Sequence, residues 1–122
     1  MNKNKRSYDL EKRTEEFSEG IIDLVRKIKK DIVTMPLLSQ LVRSATSVGA
    51  NYCEANGACS KKDFKNKIYI CKKEAKETKY WLHLLSKASP QDVEICQVYW
   101  KEAQELTLIF SKIILTLEGK SE

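Results

Sequence analysis

The chain has 122 residues, of which 32% are charged, and a formal net charge of +5. This length suffices for one domain with a hydrophobic core, and one domain is predicted over residues 1–122. No stretch reaches the roughly 18 uninterrupted apolar residues of a membrane span, and no apolar segment follows the basic N-terminus, so no span, secretory signal or membrane partner is expected. The four cysteines are expected to stay reduced, as in a cytoplasmic protein.

The first half of the chain predicts two helices, at about residues 8–30 and 36–56. Apolar residues recur at three- and four-residue spacing in both, at Leu10, Phe17, Ile21, Leu24 and Ile28, and then at Leu38, Leu41, Ala45, Val48, Tyr52 and Ala55. Pro36 suits a first helical position, and Asn56-Gly57 predicts a left-handed cap at the C-terminal end. Gly49 costs about 1 kcal/mol relative to alanine inside a helix, which indicates that another helix packs closely there.

The second half predicts helices at about residues 60–88 and 90–117. Ser60 and Asp63 resemble a capping box, and Ser89 followed by Pro90 predicts a second N-cap. The core faces are predicted at Phe64, Ile68, Cys71, Ala75, Thr78, Leu82 and Leu85, and at Cys96, Trp100, Ala103, Phe110, Ile113 and Leu117. Since short connections make consecutive helices antiparallel, the predicted fold is all-α, an antiparallel up-down-up-down four-helix bundle.

The third helix has a basic face about 120° from its predicted core face. It contains Lys61, Lys62, Lys65, Tyr69, Lys72, Lys76, Lys79 and Tyr80. Lysine neutralises phosphate and tyrosine stacks on unpaired bases, so this face is a candidate RNA-binding surface. A solvated helical face that only keeps the protein soluble is the alternative, since lysine-rich helices present such faces routinely.

The third and fourth helices carry more apolar surface than one small bundle requires. The residues in question are Ile70, Trp81 and Leu84 on the third helix and Ile95, Tyr99 and Ile109 on the fourth. Deep packing of the third helix within one bundle would account for Ile70, Trp81 and Leu84. Apolar surface beyond a single core is more typical of a protein–protein contact, so a homo-oligomer is predicted with these residues as candidates for its interface.

No catalytic or metal-binding pattern is present in the sequence. The cysteine spacing fits no usual zinc site, and the single histidine, His83, lies on the basic face. Cys71 and Cys96 fall on core faces and are interpreted as small buried hydrophobic residues. We therefore expect no enzymatic activity, no metal, no cofactor and no small-molecule substrate.

A motif in the second helix resembles a known family. The segments LSQLVRSATSVGANYCEANG, at residues 38–57, and SKKDF, at residues 60–64, are similar to the signature of the bacterial four-helix bundle proteins linked to intervening sequences in 23S ribosomal RNA genes. The matching residues are Gln40, Arg43, Ser44, Ala45, Ser47, Val48, Asn51, Glu54, Ser60, Lys62, Asp63 and Phe64, with Ala75 and Glu77 further on. Tyr52, Ala55, Lys73 and Glu74 depart from the pattern.

The resemblance implies a homopentamer, because the family includes the accessory variability determinant of diversity-generating retroelements, a pentameric barrel that assists a reverse transcriptase with its RNA. It therefore also implies RNA or a reverse-transcriptase-type nucleoprotein complex as a partner. A protein-binding scaffold with no nucleic-acid role is the alternative. Within the motif, polar residues border the core face, and we expect them to specify helix packing rather than chemistry. They are Arg43, Ser44, Ser47, Asn51 and Glu54, with Glu77 as their expected partner on the third helix.

Overall fold

A computed structural model of the protein describes residues 10–120. It contains four α-helices and a 3-10 turn: α1 (Leu10–Lys27), α2 (Thr34–Asn56), α3 (Lys61–Ala88), the turn Pro90–Asp92, and α4 (Val93–Leu117). No strand occurs within this range, and the predicted all-α antiparallel four-helix bundle is confirmed. The predicted start of the first helix, near residue 8, lies outside the described residues.

A single cluster of buried apolar side chains joins the four helices. Every core position predicted for α1 is buried, and so are those of α2 and α3 except the half-buried Tyr52 and Phe64. Cys71 and Cys96 are 0% and 1% exposed, which confirms that both are small core residues. Burial raises the pKa of the Cys71 thiol to about 12, so this thiol stays protonated.

The fourth helix departs from the prediction at Trp100, which is 38% exposed and therefore does not belong to the core, and at Ile113 and Leu117, which are only half-buried. The buried face of α4 runs instead through Cys96, Ala103, Leu106, Thr107, Phe110 and Ile114. The prediction failed here because α4 is apolar on two sides. Helical periodicity alone does not show which of the two sides faces the core.

The turn between α1 and α2 is longer than predicted, since α1 ends at Lys27 and α2 begins at Thr34, before Pro36. The Asp31 carboxylate accepts hydrogen bonds from the backbone N–H groups of Val33 and Thr34 at 2.9 and 2.8 Å. The Thr34 hydroxyl donates to the carbonyl of Lys29 at 2.7 Å. These bonds satisfy the first N–H groups of α2 ahead of the proline.

Two of the predicted caps differ in the structure. Gly57 ends α2 with φ −98°, so the predicted left-handed cap is wrong. Its N–H donates instead to the carbonyl of Glu54 at 3.1 Å, a tight last turn that any residue can adopt. The Ser89 hydroxyl donates to the Asp92 carboxylate at 2.6 Å rather than capping backbone N–H groups, and a 3-10 turn precedes α4. The Ser60 cap is as predicted, since its hydroxyl accepts from the Asp63 N–H at 3.0 Å.

Candidate interaction surfaces

The basic residues of α3 lie on the flank of this helix that adjoins α4. Two of these lysines contact α4 or the residue that follows it. Lys79 Nζ donates to Gln104 Oε1 and lies 5.2 Å from the ring centroid of Trp100. Lys65 Nζ lies 3.8 Å from the Glu118 carboxylate. We call this surface the lysine flank. It contains the candidate residues Lys61, Lys62, Lys65, Tyr69, Lys72, Lys76, Lys79 and Tyr80.

Much of the positive charge on the lysine flank is uncompensated. Lys61, Lys62 and Lys76 are exposed and Lys72 is half-buried, and none of these four forms an ion pair within residues 10–120. Tyr69 and Tyr80 are 42% and 56% exposed. The Tyr69 hydroxyl donates to the Glu118 carboxylate, which raises the pKa of Tyr69 and lowers that of Glu118. The surface therefore offers cationic groups with aromatic rings between them.

The motif residue Arg43 joins α2 to α3 through two carboxylates. Its guanidinium donates to Glu77, the partner expected from the sequence, and to Glu74 at 3.3 Å. Glu74 is only 7% exposed, and burial is the main reason why its pKa is raised. Burial also acts to raise the pKa of Glu77, but the hydrogen bond that it accepts from the Arg43 guanidinium and the positive charge of that group act against burial, and the pKa is lowered. Glu74 is one of the residues that depart from the family pattern, so its contact with Arg43 is not part of the motif itself.

The other motif residues also make packing contacts. The Thr78 hydroxyl on α3 donates to Ser44 Oγ at 2.9 Å, and Ser44 is fully buried. Glu54 binds Lys67 at 2.5 Å, while the Asn51 amide donates within α2 to Ser47 Oγ at 2.9 Å. Each of these polar residues has a hydrogen-bond or ion-pair partner, and the partners of Arg43, Ser44 and Glu54 include side chains of α3. The motif thus joins α2 to α3.

The candidate interface residues fall into two groups on opposite flanks of the α3–α4 pair. Ile70, Trp81 and Leu84 are half-buried and lie on the side of α3 that carries Glu77, next to α2. Ile95, Tyr99 and Ile109 lie on the side of α4 that carries Glu102, which binds Arg13 of α1 at 2.6 Å. The structure therefore does not join the two groups into one patch.

Tyr99 is held within the subunit. Its ring lies 6.3 Å from that of Phe17, and a Cβ atom at Gly20 would lie 2.5 Å from its hydroxyl. The ring thus fills the space that Gly20 leaves free on α1. Of the three α4 candidates, Ile95 is the most accessible, at 36% exposed.

Sequence reasoning did not separate out a second apolar row on α4, which faces away from the core beside the lysine flank. We call it the outer stripe. It consists of Val93, Gln97, Trp100, Gln104, Leu108, Ser111 and Leu115. Steps of three and four residues keep these side chains within an arc of about 80° on an ideal helix. The sequence signal is the absence of any charge along this row.

An open depression of about 570 Å³ lies at the α2–α3 turn, between Glu54, Cys59, Asp63 and Ile70. Residues 10–120 contain no group of three or more His, Cys, Asp or Glu side chains placed to hold a metal ion. In the same range no helix is long and apolar enough to cross a membrane.

An antiparallel four-helix bundle with a motif-bearing α2–α3 pair is the class of protein that this fold and these surfaces define. The model of the 23S rRNA-intervening sequence protein family matches residues 6–112, and the chain belongs to that family. A crystal structure of a protein of unknown function from the S23 ribosomal protein family of Bacteroides thetaiotaomicron is similar: it has a TM-score of 0.76 and 33% identity, over 85% of this chain and 96% of that one. Curated proteins give no match.

Proposed function

We propose that the protein is a non-enzymatic, cytoplasmic homo-oligomer that binds RNA, alone or within a nucleoprotein complex, through the lysine flank. The observation that carries this proposal is the set of four lysines on that flank without an ion pair among the described residues. Lysine binds phosphate as a point charge and lacks the planar bidentate fork of arginine, so the expected recognition is largely of the RNA backbone. The exposed rings of Tyr69 and Tyr80 add stacking surfaces for unpaired bases.

The positions of the candidate interface residues favour a ring over a two-fold dimer. A two-fold dimer uses the same patch on both subunits, whereas a ring requires two different patches that meet head to tail. The two apolar groups lie on opposite flanks of α3 and α4. Trp81, Leu84 and Ile95 lie near the α3–α4 turn, while Ile70 and Ile109 lie further along the two helices. This arrangement supports a closed ring such as the pentamer that the family resemblance implies.

A ring would also strengthen RNA binding. Each subunit would contribute one lysine flank, and several weak contacts to one RNA act together when their spacing allows simultaneous binding. A ring of identical flanks therefore suits a long or folded RNA better than a short oligonucleotide.

RNA binding is tested by fluorescence anisotropy with a labelled RNA hairpin and a labelled oligo(U). We expect the logarithm of the affinity to fall with the logarithm of the salt concentration, with a slope of about −0.7 for each single-strand phosphate contact. The double variant K72E/K76E should bind at least about ten-fold more weakly, since it reverses two charges. The control K12E/K27E makes the same charge change on exposed positions of α1. Equal losses in both variants, or salt-insensitive binding, would refute the proposal.

The oligomer is tested by light scattering. One subunit has a mass of 14.1 kDa, and we expect a multiple of this value at micromolar concentration. The variant I95D, which places a charge on one of the two patches, should lower the mass. A native mass of one subunit would remove the oligomer from the proposal. A specific protein partner combined with no RNA binding at low salt would favour the scaffold function instead.

A further inference from the structure

The outer stripe of α4 is unusual for the solvent side of a helix. Its apolar members, Val93, Trp100, Leu108 and Leu115, are 36%, 38%, 57% and 41% exposed. Between them lie Gln97, Gln104 and Ser111, so the row carries no charge over about 33 Å of helix. The core face of α4 is complete without these residues, because a separate row of buried side chains packs against the other helices. Packing within the subunit therefore does not account for the stripe.

The pattern of the stripe fits a helical partner. Apolar residues that repeat at alternating intervals of seven and eight along one helix present the anchor spacing with which amphipathic helices pack side by side. Glutamine and serine between the anchors remain able to form hydrogen bonds after burial. Gln104 already accepts a hydrogen bond from Lys79, so its carbonyl group is fixed next to the stripe.

The charges beside the stripe indicate which kind of helix fits. On the α3 side it is bordered by Lys65, Lys72, Lys76 and Lys79. On the far side Lys101 and Lys112 alternate with Glu94 and Glu105, and Glu105 is bound to Arg13 at 2.6 Å. A partner helix lying on the stripe would therefore have a row of ammonium groups along one edge. A second copy of α4 would bring Lys101 and Lys112 together with Glu94 and Glu105 towards such a row, and so no net negative charge, which makes a helix with acidic residues along that edge the better match.

We propose that the outer stripe binds an amphipathic helix of another protein, one that has an apolar face and acidic residues along the edge that lies against α3. Trp100 and Leu108 anchor the apolar face of this helix, and the lysines of α3 bind its carboxylates. This site shares the lysines of α3 with the proposed RNA contact and differs from it because it also depends on uncharged side chains of α4. RNA and the acidic helix would therefore compete for these lysines.

The probe for this site is a synthetic, fluorescein-labelled helical peptide with leucines at three- and four-residue spacing and glutamates on its flanks. Its counterpart carries lysines in place of the glutamates. We expect the acidic peptide to bind the native protein at least about ten-fold more tightly than the basic one, with a difference that shrinks as salt screens the charges.

A pair of double variants separates the stripe from exposed apolar surface in general. L108Q/L115Q changes residues that are 57% and 41% exposed on the stripe, and M35Q/I22Q changes residues that are 57% and 38% exposed elsewhere. We expect L108Q/L115Q to weaken the binding of the acidic peptide by at least about ten-fold and M35Q/I22Q to weaken it by less than about two-fold. The reason is that only L108Q/L115Q removes apolar side chains that contact the peptide. Because all four positions are exposed, neither variant should unfold the protein, which circular dichroism checks.

Three results would overturn the inference. The acidic peptide could fail to bind, or both double variants could weaken it equally. Alternatively, L108Q/L115Q could lower the mass in light scattering while peptide binding stays unchanged, which would assign the stripe to contacts between copies. RNA affinity is measured on the same variants, so loss of RNA binding in L108Q/L115Q without any peptide binding would assign the stripe to RNA.

Discussion

Removing the guanidinium of Arg43 tests whether the family motif joins α2 to α3 through charge. In the variant R43M the side chain keeps an unbranched stem and a similar helix propensity, but Glu74 and Glu77 lose their shared cation. Breaking a fully buried ion pair costs about 3–5 kcal/mol, because the remaining charge stays buried. The Glu74 side chain is 9% exposed, but that of Arg43 is 47% exposed, so water screens part of the interaction. We expect a loss of about 1–2 kcal/mol in the free energy of unfolding at pH 7.

The pH dependence identifies the carboxylates as the cause. Burial raises the pKa of Glu74 above its ordinary value of 4.5, so this group lowers stability as pH rises above that value. Arg43 opposes the rise, and its removal deepens the loss at neutral pH. The pKa of Glu77 is lowered, so its contribution is present above pH 4.5 and disappears as pH falls through the folded-state pKa. R43M should therefore lower the free energy of unfolding at pH 7 and leave it nearly unchanged when the carboxyl groups of Glu74 and Glu77 are protonated.

The assay is urea unfolding followed by circular dichroism at neutral and acidic pH, at one fixed protein concentration because association shifts apparent stability. The same change in an E74Q background should cost about 1 kcal/mol less, since no buried charge is left behind. R26M, at an exposed arginine of α1, is the control and should have a small effect. An electrostatic role for Arg43 would be refuted if R43M lowered the free energy of unfolding equally at all pH values. It would also be refuted if the decrease were just as large in the E74Q background.

Three further predictions concern the core and its borders. The buried indole N–H of Trp81 has no acceptor within the described residues. In urea unfolding, W81F should therefore change the free energy of unfolding by less than about 1 kcal/mol. A decrease of more than about 2 kcal/mol would mean that this N–H is hydrogen-bonded. A Cβ at Gly49 would lie 3.4 Å from the Thr14 carbonyl oxygen, so in urea unfolding G49A should be tolerated while G49L should cost about 1–3 kcal/mol. With a thiol reagent at neutral pH, Cys71 and Cys96 should react only after unfolding, and rapid reaction of either in the native protein would contradict their burial.

The helices and their inner faces were predictable because periodicity records which side of a helix meets the core. The prediction failed where a helix has two apolar sides. On α4 the periodicity is equally consistent with Trp100 in the core or on the surface, and the structure places it on the surface. The prediction also failed at helix ends, which depend on individual hydrogen bonds. The α1–α2 turn is set by the Asp31 carboxylate and the Thr34 hydroxyl, and no periodic signal reports such bonds.

The candidate surfaces were predictable in part. The residues of the lysine flank were found from the sequence, because their spacing alone places them on one side of α3. Their position beside Trp100 and Gln104 was not, since helix periodicity does not say which flank of one helix meets which flank of the next. For the same reason, the sequence did not show that the candidate interface residues lie in two separate groups, and their role in an interface stays a prediction.

Apart from Lys62, which belongs to both the motif and the lysine flank, the residues of the family motif and those of the candidate binding surfaces occupy different parts of the bundle. Arg43, Ser44 and Glu54 bind side chains of α3 and so set how α2 packs on it. The lysine flank and the outer stripe lie on the other side of α3 and on α4, where none of the motif residues makes a contact within the described range. A change in either surface leaves the motif contacts intact, so proteins that share this motif can share a fold and bind different partners. Assigning the partner therefore requires variants of α3 lysines and of Leu108 and Leu115, not of the motif.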